Sequence, residues 1–254
     1  MTRDPQTTEP LARARGLHKS YGRGANETVV LRGVDLDVRA GHFLCVMGPS
    51  GSGKSTLLHL LSGLDEPTSG TIELAGEDLS TVSARRRTLL RRQHVGYVFQ
   101  FFNLLPNLSV TENVGLPLSI AGQPPQSRSS VVPPLLERFG IQARGHALPH
   151  ELSGGEMQRT SIARALAGGQ PMLLCDEPTG NLSQKAGLEV MQTLRRVCDE
   201  DGKAVLLVTH NPRDAALADE VRFLVDGELS PETRLQGPDI SVEDVHEALA
   251  ALSI

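Results

Sequence analysis

Short apolar runs, bounded by glycine, proline or charged residues, recur along the chain and predict buried strands. These runs cover residues 43–47, 172–176 and 204–208. In a different pattern, Val34, Leu36 and Val38 alternate with charged residues and predict a half-buried strand, within antiparallel β structure over residues 13–38. Apolar residues at helical spacing predict an amphipathic helix over residues 184–198. Strands and helices that follow one another in this way indicate an α/β fold.

Other segments carry loop and turn signals. The polar residues and prolines of residues 1–12 predict a flexible tail, and residues 18–24 predict a turn between the first two strands. Residues 121–134 are rich in glycine, proline and serine, which predicts a linker after which a helix resumes only at its last residue. Residues 226–227, Asp-Gly, predict a hairpin, and residues 242–252 a short exposed helix.

Composition narrows the possible partners and compartment. The chain has 254 residues and a formal net charge of −5, so it lacks the basic excess of a nucleic-acid-binding protein. Tryptophan is absent, aromatic residues are sparse, and we expect no nucleic acid partner. No apolar run approaches the ~20 residues that span a bilayer, and the N-terminus lacks the apolar core of a signal peptide. The three cysteines show no paired spacing, which favours reduced thiols in a cytoplasm.

The segment after the first apolar strand matches the phosphate-binding pattern G-x-x-x-x-G-K-[ST]. Its glycines allow consecutive backbone N–H groups to face one anion, and the following helix directs its positive dipole end toward the same place. Lys54 would add a charge at the β- and γ-phosphates, and Ser55 a hydroxyl ligand for Mg²⁺. The alternative is an ordinary glycine-rich strand–turn–helix. The predicted nucleotide-binding residues are Gly48, Pro49, Ser50, Gly51, Ser52, Gly53, Lys54, Ser55 and Thr56.

Polar residues also follow two other apolar strands. Asp176 and Glu177 lie at the carboxyl end of a strand, where α/β sheets place their ligand chemistry. Asp176 would hold Mg²⁺ through water, and Glu177 could orient and deprotonate an attacking water; a solvated pair at a helix start is the alternative. His210 follows the strand at 204–208, where it could touch a γ-phosphate or serve as a surface or capping residue.

Three further features have two interpretations each. Residues 152–156, Leu-Ser-Gly-Gly-Glu, open a predicted helix that runs to Ala167, and a glycine-opened helix N-terminus is a second candidate anion site. The apolar residues 101–106 follow a strand, so they either fold back into the core or offer a surface to another protein. Tyr21 is either an edge residue or a flat surface for a purine ring.

Taken in order, these motifs resemble those of the ATP-binding subunits of ABC transporters, over roughly residues 13–230. The corresponding motifs are Walker A (48–56), the Q-loop residue Gln100, the signature (152–156), Walker B with its glutamate (173–177) and the switch His210. Residues 99–106 and 176–182 are similar to the branch that contains the MacB- and LolD-type ATPases. Members of that branch serve permeases with large extracytoplasmic domains, in macrolide export and lipoprotein release.

The resemblance implies a fold and a function. The fold would be the ABC ATPase form of the α/β P-loop NTPases, with a mixed central sheet, an antiparallel β subdomain and a helical signature subdomain at about 80–168. This domain would cover 13–230 and leave a C-terminal extension at 231–254. The implied activity is hydrolysis of ATP, with Mg²⁺, to power a separate membrane permease from the cytoplasmic face of the membrane.

The resemblance also implies residue roles. The catalytic group would be Lys54, Gln100, Glu177 and His210, and the Mg²⁺ ligands Ser55, Gln100 and Asp176. Tyr21 would stack on adenine. On binding ATP, two copies would form a head-to-tail homodimer in which Ser153, Gly154 and Gly155 of one copy close over the γ-phosphate held by the other. The permease would dock near Gln100 to Pro106.

Two features depart from the family pattern. Ser183 stands where the family usually places an aspartate, in the loop that crosses the dimer, so we expect weaker coupling between the two ATP sites. Pro133 and Pro134 interrupt what the family generally builds as a continuous helix. A soluble ABC-class ATPase that acts on nucleic acid or ribosomes is the alternative function. The single cassette, the acidic balance and the lack of a heptad insertion disfavour it.

Overall fold

The computed structural model describes residues 9–253, apart from the side chain of Ala25. Most of the predicted tail, residues 1–8, lies outside the described residues. The end of that segment is folded, because strand β1 (Ala12–Tyr21) begins at Ala12. The N–H of Leu11 also donates to the carbonyl of Val38 at 2.8 Å. The tail prediction therefore does not extend to Leu11 and Ala12.

The central sheet is mixed, as predicted. Its strands are β3 (Phe43–Met47), β6 (Val95–Val98), β7 (Met172–Asp176), β8 (Ala204–Thr209), β9 (Glu220–Val225) and β10 (Glu228–Gln236). They lie in the order β10-β9-β3-β8-β7-β6, and all neighbours pair in parallel except β10, which is antiparallel to β9. The strands that carry the sequence motifs therefore end at one edge of the sheet.

A second sheet is antiparallel and also agrees with the prediction. It contains β1, β2 (Thr28–Val38), β4 (Ser69–Leu74) and β5 (Glu77–Asp78), in the order β2-β1-β4-β5. The predicted turn at residues 18–24 is wrong in its first half. His18 pairs with Arg32 and Tyr21 with Thr28, so β2 holds these residues in β1 and places Tyr21 at the end of a strand.

Eight α-helices accompany the two sheets within the described residues. They are α1 (Lys54–Leu61), α2 (Ala84–His94), α3 (Val110–Ile120), α4 (Pro125–Arg138), α5 (Gly154–Leu166), α6 (Gln184–Asp201), α7 (Pro212–Ala215) and α8 (Val242–Ala251). Alternate residues of β3 enter two separate cores. Phe43, Cys45 and Met47 pack with residues of α3, α5 and α6, whereas Leu44 and Val46 pack with α1 and the antiparallel sheet. The central sheet is thus covered on both faces.

The linker predicted at residues 121–134 is wrong, because α4 begins at Pro125 and continues through Pro133 and Pro134. Proline suits the first helical turn, where an N–H would be unpaired. The two later prolines are exposed, so the carbonyls one turn earlier can bond to water. Val132 and Leu136 on the opposite side are buried, and their packing compensates for the lost hydrogen bonds.

The C-terminal segment packs more closely than predicted. Val245 is fully buried and Ala248 is 7% exposed, so α8 covers the core with one face instead of lying free. The predicted boundary at residue 230 falls inside β10. Among the described residues, no helix has the length and apolar character needed to cross a membrane. All three cysteines are buried and unbridged, as expected for reduced thiols.

Candidate nucleotide site

The P-loop connects β3 to α1 and turns sharply at both ends. A Cβ on Gly48 would lie 2.1 Å from the carbonyl oxygen of Leu224, so this close approach requires glycine. Gly53 has a φ of +106° and directly precedes α1, a backbone conformation that also favours glycine. The sharp turn leaves the N-terminus of α1 facing the loop, where the helix dipole favours an anion.

Lys54 is buried at the start of α1 and its ammonium group lies inside the loop. Its Nζ donates to the carbonyls of Gly48 at 2.9 Å and Pro49 at 2.8 Å. Burial lowers the pKa of Lys54, whereas the nearby carboxylates of Glu177 and Asp176 oppose that shift. One positive charge is therefore held between the phosphate-binding loop and the two acidic residues of β7 and the loop after it.

Ser55 and Asp176 come from distant parts of the chain and meet in the site. The Ser55 hydroxyl donates to Oδ1 of Asp176 at 3.0 Å. Burial raises the pKa of Asp176, and the hydrogen bond from Ser55 opposes the increase. A hydroxyl beside a carboxylate at the phosphate-binding loop is the oxygen donor set that Mg²⁺ prefers. Of the predicted metal ligands, the structure brings these two together.

Glu177 and His210 also meet, at the carboxyl ends of adjacent strands. Nδ1 of His210 lies 3.0 Å from Oε1 of Glu177. Glu177 has a φ of +43°, an uncommon backbone conformation for a residue with a side chain. Its N–H donates to the carbonyl of Val208 at 3.0 Å, which anchors the strained residue to β8. Strain at this position is typical of a functional site.

Tyr21 lies close to the P-loop helix and is 43% exposed. Its hydroxyl donates to Oδ2 of Asp65 at 2.7 Å, and the ammonium group of Lys19 lies 4.6 Å from the ring centroid. Partial burial and the hydrogen bond to Asp65 raise the pKa of Tyr21, and Thr56 also contacts its hydroxyl. Sequence reasoning did not identify Asp65, because no local signal connects this residue of the loop after α1 with a tyrosine on β1.

The signature residues begin α5 and lie against the loop that follows Glu177. Ser153 is the N-cap of α5: its hydroxyl accepts from the N–H of Glu156 at 3.3 Å, and Glu156 accepts from the N–H of Ser153 at 2.8 Å. A Cβ on Gly154 would lie 2.9 Å from Leu182 in that loop. Arg144 pairs with Glu156 at 2.8 Å.

Gln100 follows strand β6 and faces the loop after Glu177. Its side-chain amide lies against the backbone of Gly180, where a Cβ would be 3.0 Å from Nε2. Its backbone carbonyl accepts from the side-chain Nδ2 of Asn181 at 3.0 Å. Gln100 therefore contacts the loop that follows Glu177. The role of Gln100 as a third Mg²⁺ ligand, beside Ser55 and Asp176, stays a prediction.

The apolar segment 101–106 is largely exposed, so the interpretation that it folds into the core fails for most of it. Phe101 is 71% exposed and Leu105 is 44% exposed, while Leu104 packs against the core. Phe102 and Asn103 both have left-handed backbone conformations, with φ values of +58° and +50°. An apolar surface of this kind is typical of a protein–protein contact.

Two polar residues that the sequence analysis did not identify, the half-buried Arg164 and the buried Asn113, hold this segment in shape. Arg164 of α5 donates to the carbonyls of Asn103 at 2.6 Å and Phe102 at 2.9 Å. Asn113 of α3 accepts from the N–H of Leu105 at 2.8 Å and donates to its carbonyl at 3.1 Å. For Asn113, a polar residue within a mostly apolar helix was the available signal. Helix α5 carries several polar residues, so no such signal marked Arg164.

Comparisons with known proteins agree with these motifs. Residues 31–180 match the family model described as ABC transporter. The chain is 47% identical over 221 residues to the macrolide export ATP-binding/permease protein MacB of Nitrosomonas europaea, with 87% of the chain and 33% of MacB aligned. It is 46% identical over 222 residues to the lipoprotein-releasing system ATP-binding protein LolD 2 of Caulobacter vibrioides, with 87% of the chain and 97% of LolD 2 aligned. The chain thus spans about a third of MacB and nearly all of LolD 2.

A solved structure has the same fold. The dimeric ATP-binding cassette MJ0796 in a post-hydrolysis state, bound to ADP and Pi, superposes with a TM-score of 0.80 at 36% identity. The match covers 89% of this chain and 98% of that chain. The predicted cassette fold and the predicted resemblance to the MacB and LolD branch are therefore confirmed.

Proposed function

Because the chain belongs to the ABC transporter family of ATP-binding proteins, we propose that it binds and hydrolyses ATP as the motor of a membrane permease. The proposal is supported chiefly by two pairs of side chains that lie together at the carboxyl ends of the central strands. Ser55 lies 3.0 Å from Asp176, and Glu177 lies 3.0 Å from His210. Both pairs adjoin the P-loop through Lys54, whose pKa responds to both carboxylates.

Each residue has a distinct role in this proposal. The P-loop, residues 48–56, binds the phosphates of ATP, and Tyr21 offers its ring to adenine. Glu177 orients a water and accepts its proton as the water oxygen bonds to the γ-phosphorus and the bond to the β–γ bridging oxygen breaks. His210 holds Glu177 and contacts the departing phosphoryl group. Lys54 stabilises the charge that develops on the phosphate oxygens.

Mg²⁺ fits the oxygen pair of Ser55 and Asp176 and, when bound, would neutralise charge on the phosphates. Gln100 would act as a sensor that connects the Ser55–Asp176 pair with the apolar segment 101–106. Its contacts with Gly180 and Asn181 place it one loop away from Glu177. Small movements of that loop on ATP binding would therefore reach residues 101–106.

A second copy of the chain would complete the site. The signature residues Ser153, Gly154 and Gly155 lie beside Leu182 and Ala186 of their own chain, and Ser153 is exposed at the start of α5. In a head-to-tail homodimer, this helix N-terminus would close over the γ-phosphate held by the P-loop of the other copy. We propose that ATP stabilises the dimer and that hydrolysis releases it.

The permease partner would dock on the exposed segment Phe101 to Pro106 at the cytoplasmic face of the membrane. MacB combines an ATP-binding part with a permease in one chain, as its name states, whereas LolD 2 is named as an ATP-binding protein. We propose that this chain likewise serves an exporter or a lipoprotein-release system. Which of the two it serves depends on the permease.

The Glu177→Gln variant tests the hydrolytic role. It keeps the size and one accepting oxygen of the side chain but removes the base, so we expect it to bind ATP, form a stable dimer and lose turnover by at least about a hundredfold. ATP hydrolysis is measured by phosphate release, and dimers by size-exclusion chromatography with light scattering. Glu232→Gln makes the same chemical change at an exposed position on β10 and should behave as the wild type. Normal hydrolysis by Glu177→Gln would refute the assignment.

Partner capture tests the transport role. Tagged Glu177→Gln with ATP is used as bait in detergent-solubilised native membranes, and bound proteins are identified by mass spectrometry. Recovery of a permease with a large extracytoplasmic domain supports the proposal and its branch. A permease without such a domain keeps the transport role alone, and only soluble or ribosomal partners would contradict it.

A further inference from the structure

The segments that carry Glu177 and His210 are joined at a second point. Oγ1 of Thr179 donates a hydrogen bond to Oδ2 of Asp214. Thr179 lies two residues after Glu177, and Asp214 lies in α7, four residues after His210. The same two segments therefore contact each other twice, through the Glu177–His210 pair and through the Thr179–Asp214 hydrogen bond.

The surroundings of Asp214 make this hydrogen bond important. Asp214 is 5% exposed, and the side chains that hydrogen-bond to its carboxyl group are the uncharged Thr179 and Asn211. Burial raises the pKa of Asp214, while hydrogen bonds from Thr179 and Asn211 and the charge of His210 oppose the increase. Cys45 of β3 is also close enough for Asp214 to raise the pKa of its thiol. Because a buried carboxylate without hydrogen-bond donors is costly, Asp214 holds Thr179 firmly.

The chain between Thr179 and Glu177 transmits this restraint. Only Pro178 separates them, and its ring fixes φ. Glu177 itself has a φ of +43° and is tied to β8 by its backbone N–H. A residue in such a strained conformation stays there only when its surroundings restrain it on both sides. Val208 supplies one restraint, and Thr179 the other.

We propose that Thr179 and Asp214 are positioning residues for ATP hydrolysis, which hold the Glu177 carboxylate and the His210 ring at their working separation. This inference rests on the proposed function. Neither residue touches the reacting atoms in the proposal. They act through Glu177 and His210, so their loss should slow the chemical step and leave ATP binding intact.

Variants of Thr179 separate the hydrogen bond from the packing of the side chain. Thr179→Val keeps the shape and removes the donor, whereas Thr179→Ser keeps the donor. We expect Thr179→Val to lower kcat by about tenfold, with KM for ATP changed less than about twofold, and Thr179→Ser to retain most of the wild-type kcat. Binding of a fluorescent ATP analogue and the midpoint of thermal unfolding show that each variant is folded.

A double-mutant cycle identifies the partner. If the effect comes from this one hydrogen bond, the double variant Thr179→Val with Asp214→Ala should be as active as the less active of the two single variants. Additive losses would overturn the pairing. A rise in KM with unchanged kcat, or a Thr179→Ser variant as slow as Thr179→Val, would overturn the positioning role. If the alanine variant does not fold, Asp214→Leu, which is close to aspartate in shape and has no accepting oxygen, replaces it in the cycle.

The two proposals can fail independently. If wild-type protein hydrolyses ATP and Glu177→Gln does not, the proposed function holds whatever Thr179 does. Normal kcat for Thr179→Val would then reject the positioning role alone. Failure of the wild-type protein to hydrolyse ATP would instead reject the proposed function.

Discussion

Ser183 occupies a position with two structural demands. It is the N-cap of α6, where its hydroxyl accepts from the N–H of Ala186 at 3.5 Å. It is also the last residue of the loop that begins at Glu177 and contacts Gln100 and Gly154. Aspartate caps a helix as well as serine does, and its charge favours a helix N-terminus. An aspartate at this position would therefore satisfy the fold and add a charge.

At this residue we predict that Ser183→Asp raises the ATPase rate or its Hill coefficient. The added carboxylate would strengthen contact with the facing copy in the proposed dimer and hence the coupling between the two ATP sites. Initial rates over a range of ATP concentrations provide both quantities. Ser183→Ala, which loses the cap without adding a charge, is the matched control. An unchanged rate and Hill coefficient in Ser183→Asp would show that the aspartate is not needed here.

At the scale of the element, α3 and α5 begin with the same capping motif but differ in the ion pairing of its glutamate. Both have a capping box, formed by Ser109 with Glu112 and by Ser153 with Glu156. Only Glu156 also pairs with an arginine, Arg144, among the described residues. The backbone N–H of Ser153 and the guanidinium of Arg144 lower the pKa of Glu156 to about 2. The signature helix is thus more firmly capped than α3.

We predict that Glu156→Gln lowers the midpoint of thermal unfolding more than Glu112→Gln does. Because the folded pKa of Glu156 lies below its usual 4.5, its contribution to stability is fully present above pH 4.5 and is lost as the pH falls toward 2. The difference between wild type and Glu156→Gln should therefore be constant from about pH 8 to pH 5 and smaller at about pH 4. Unfolding followed by circular dichroism at these pH values checks it. Equal losses at Glu112 and Glu156 would exclude a role for Arg144.

The elements differ in how well the sequence predicts them. The apolar strand 43–47 and the Asp-Gly hairpin at 226–227 are local signals, and the structure confirms both. The start of α4 could not be predicted, because burial of Val132 and Leu136 against other helices overrides the local cost of Pro133 and Pro134.

In the site, the motif spacing predicted Lys54, Ser55, Asp176, Glu177 and His210. It could not predict the distant residues that hydrogen-bond to the site and to the segments that carry it. Asp65 contacts Tyr21 across 44 residues of sequence, and Asp214 contacts Thr179 across 35. Such pairs follow from the packing of separate elements, which a single sequence does not reveal.

At the scale of the whole molecule, one helix connects the two surfaces that the proposed function requires. The N-terminus of α5 carries the signature, and Arg164 near its C-terminus holds the carbonyls of Phe102 and Asn103 in the proposed docking segment. Movement of the signature on dimer closure would therefore move residues 101–106 as part of one rigid element. Arg164 provides two directed donors for this purpose, which a lysine does not replace.

We predict that Arg164→Lys loosens the docking segment and leaves nucleotide binding unchanged. Amide hydrogen exchange of residues 101–105 should become faster by about tenfold, because two backbone carbonyls in left-handed residues lose their restraint. Exchange in the P-loop helix α1 and binding of a fluorescent ATP analogue should match the wild type. Arg85→Lys, a change at an exposed residue of α2, is the matched control. If Arg164→Lys leaves exchange at 101–105 unchanged, then Asn113 alone maintains the segment and α5 does not transmit movement through Arg164.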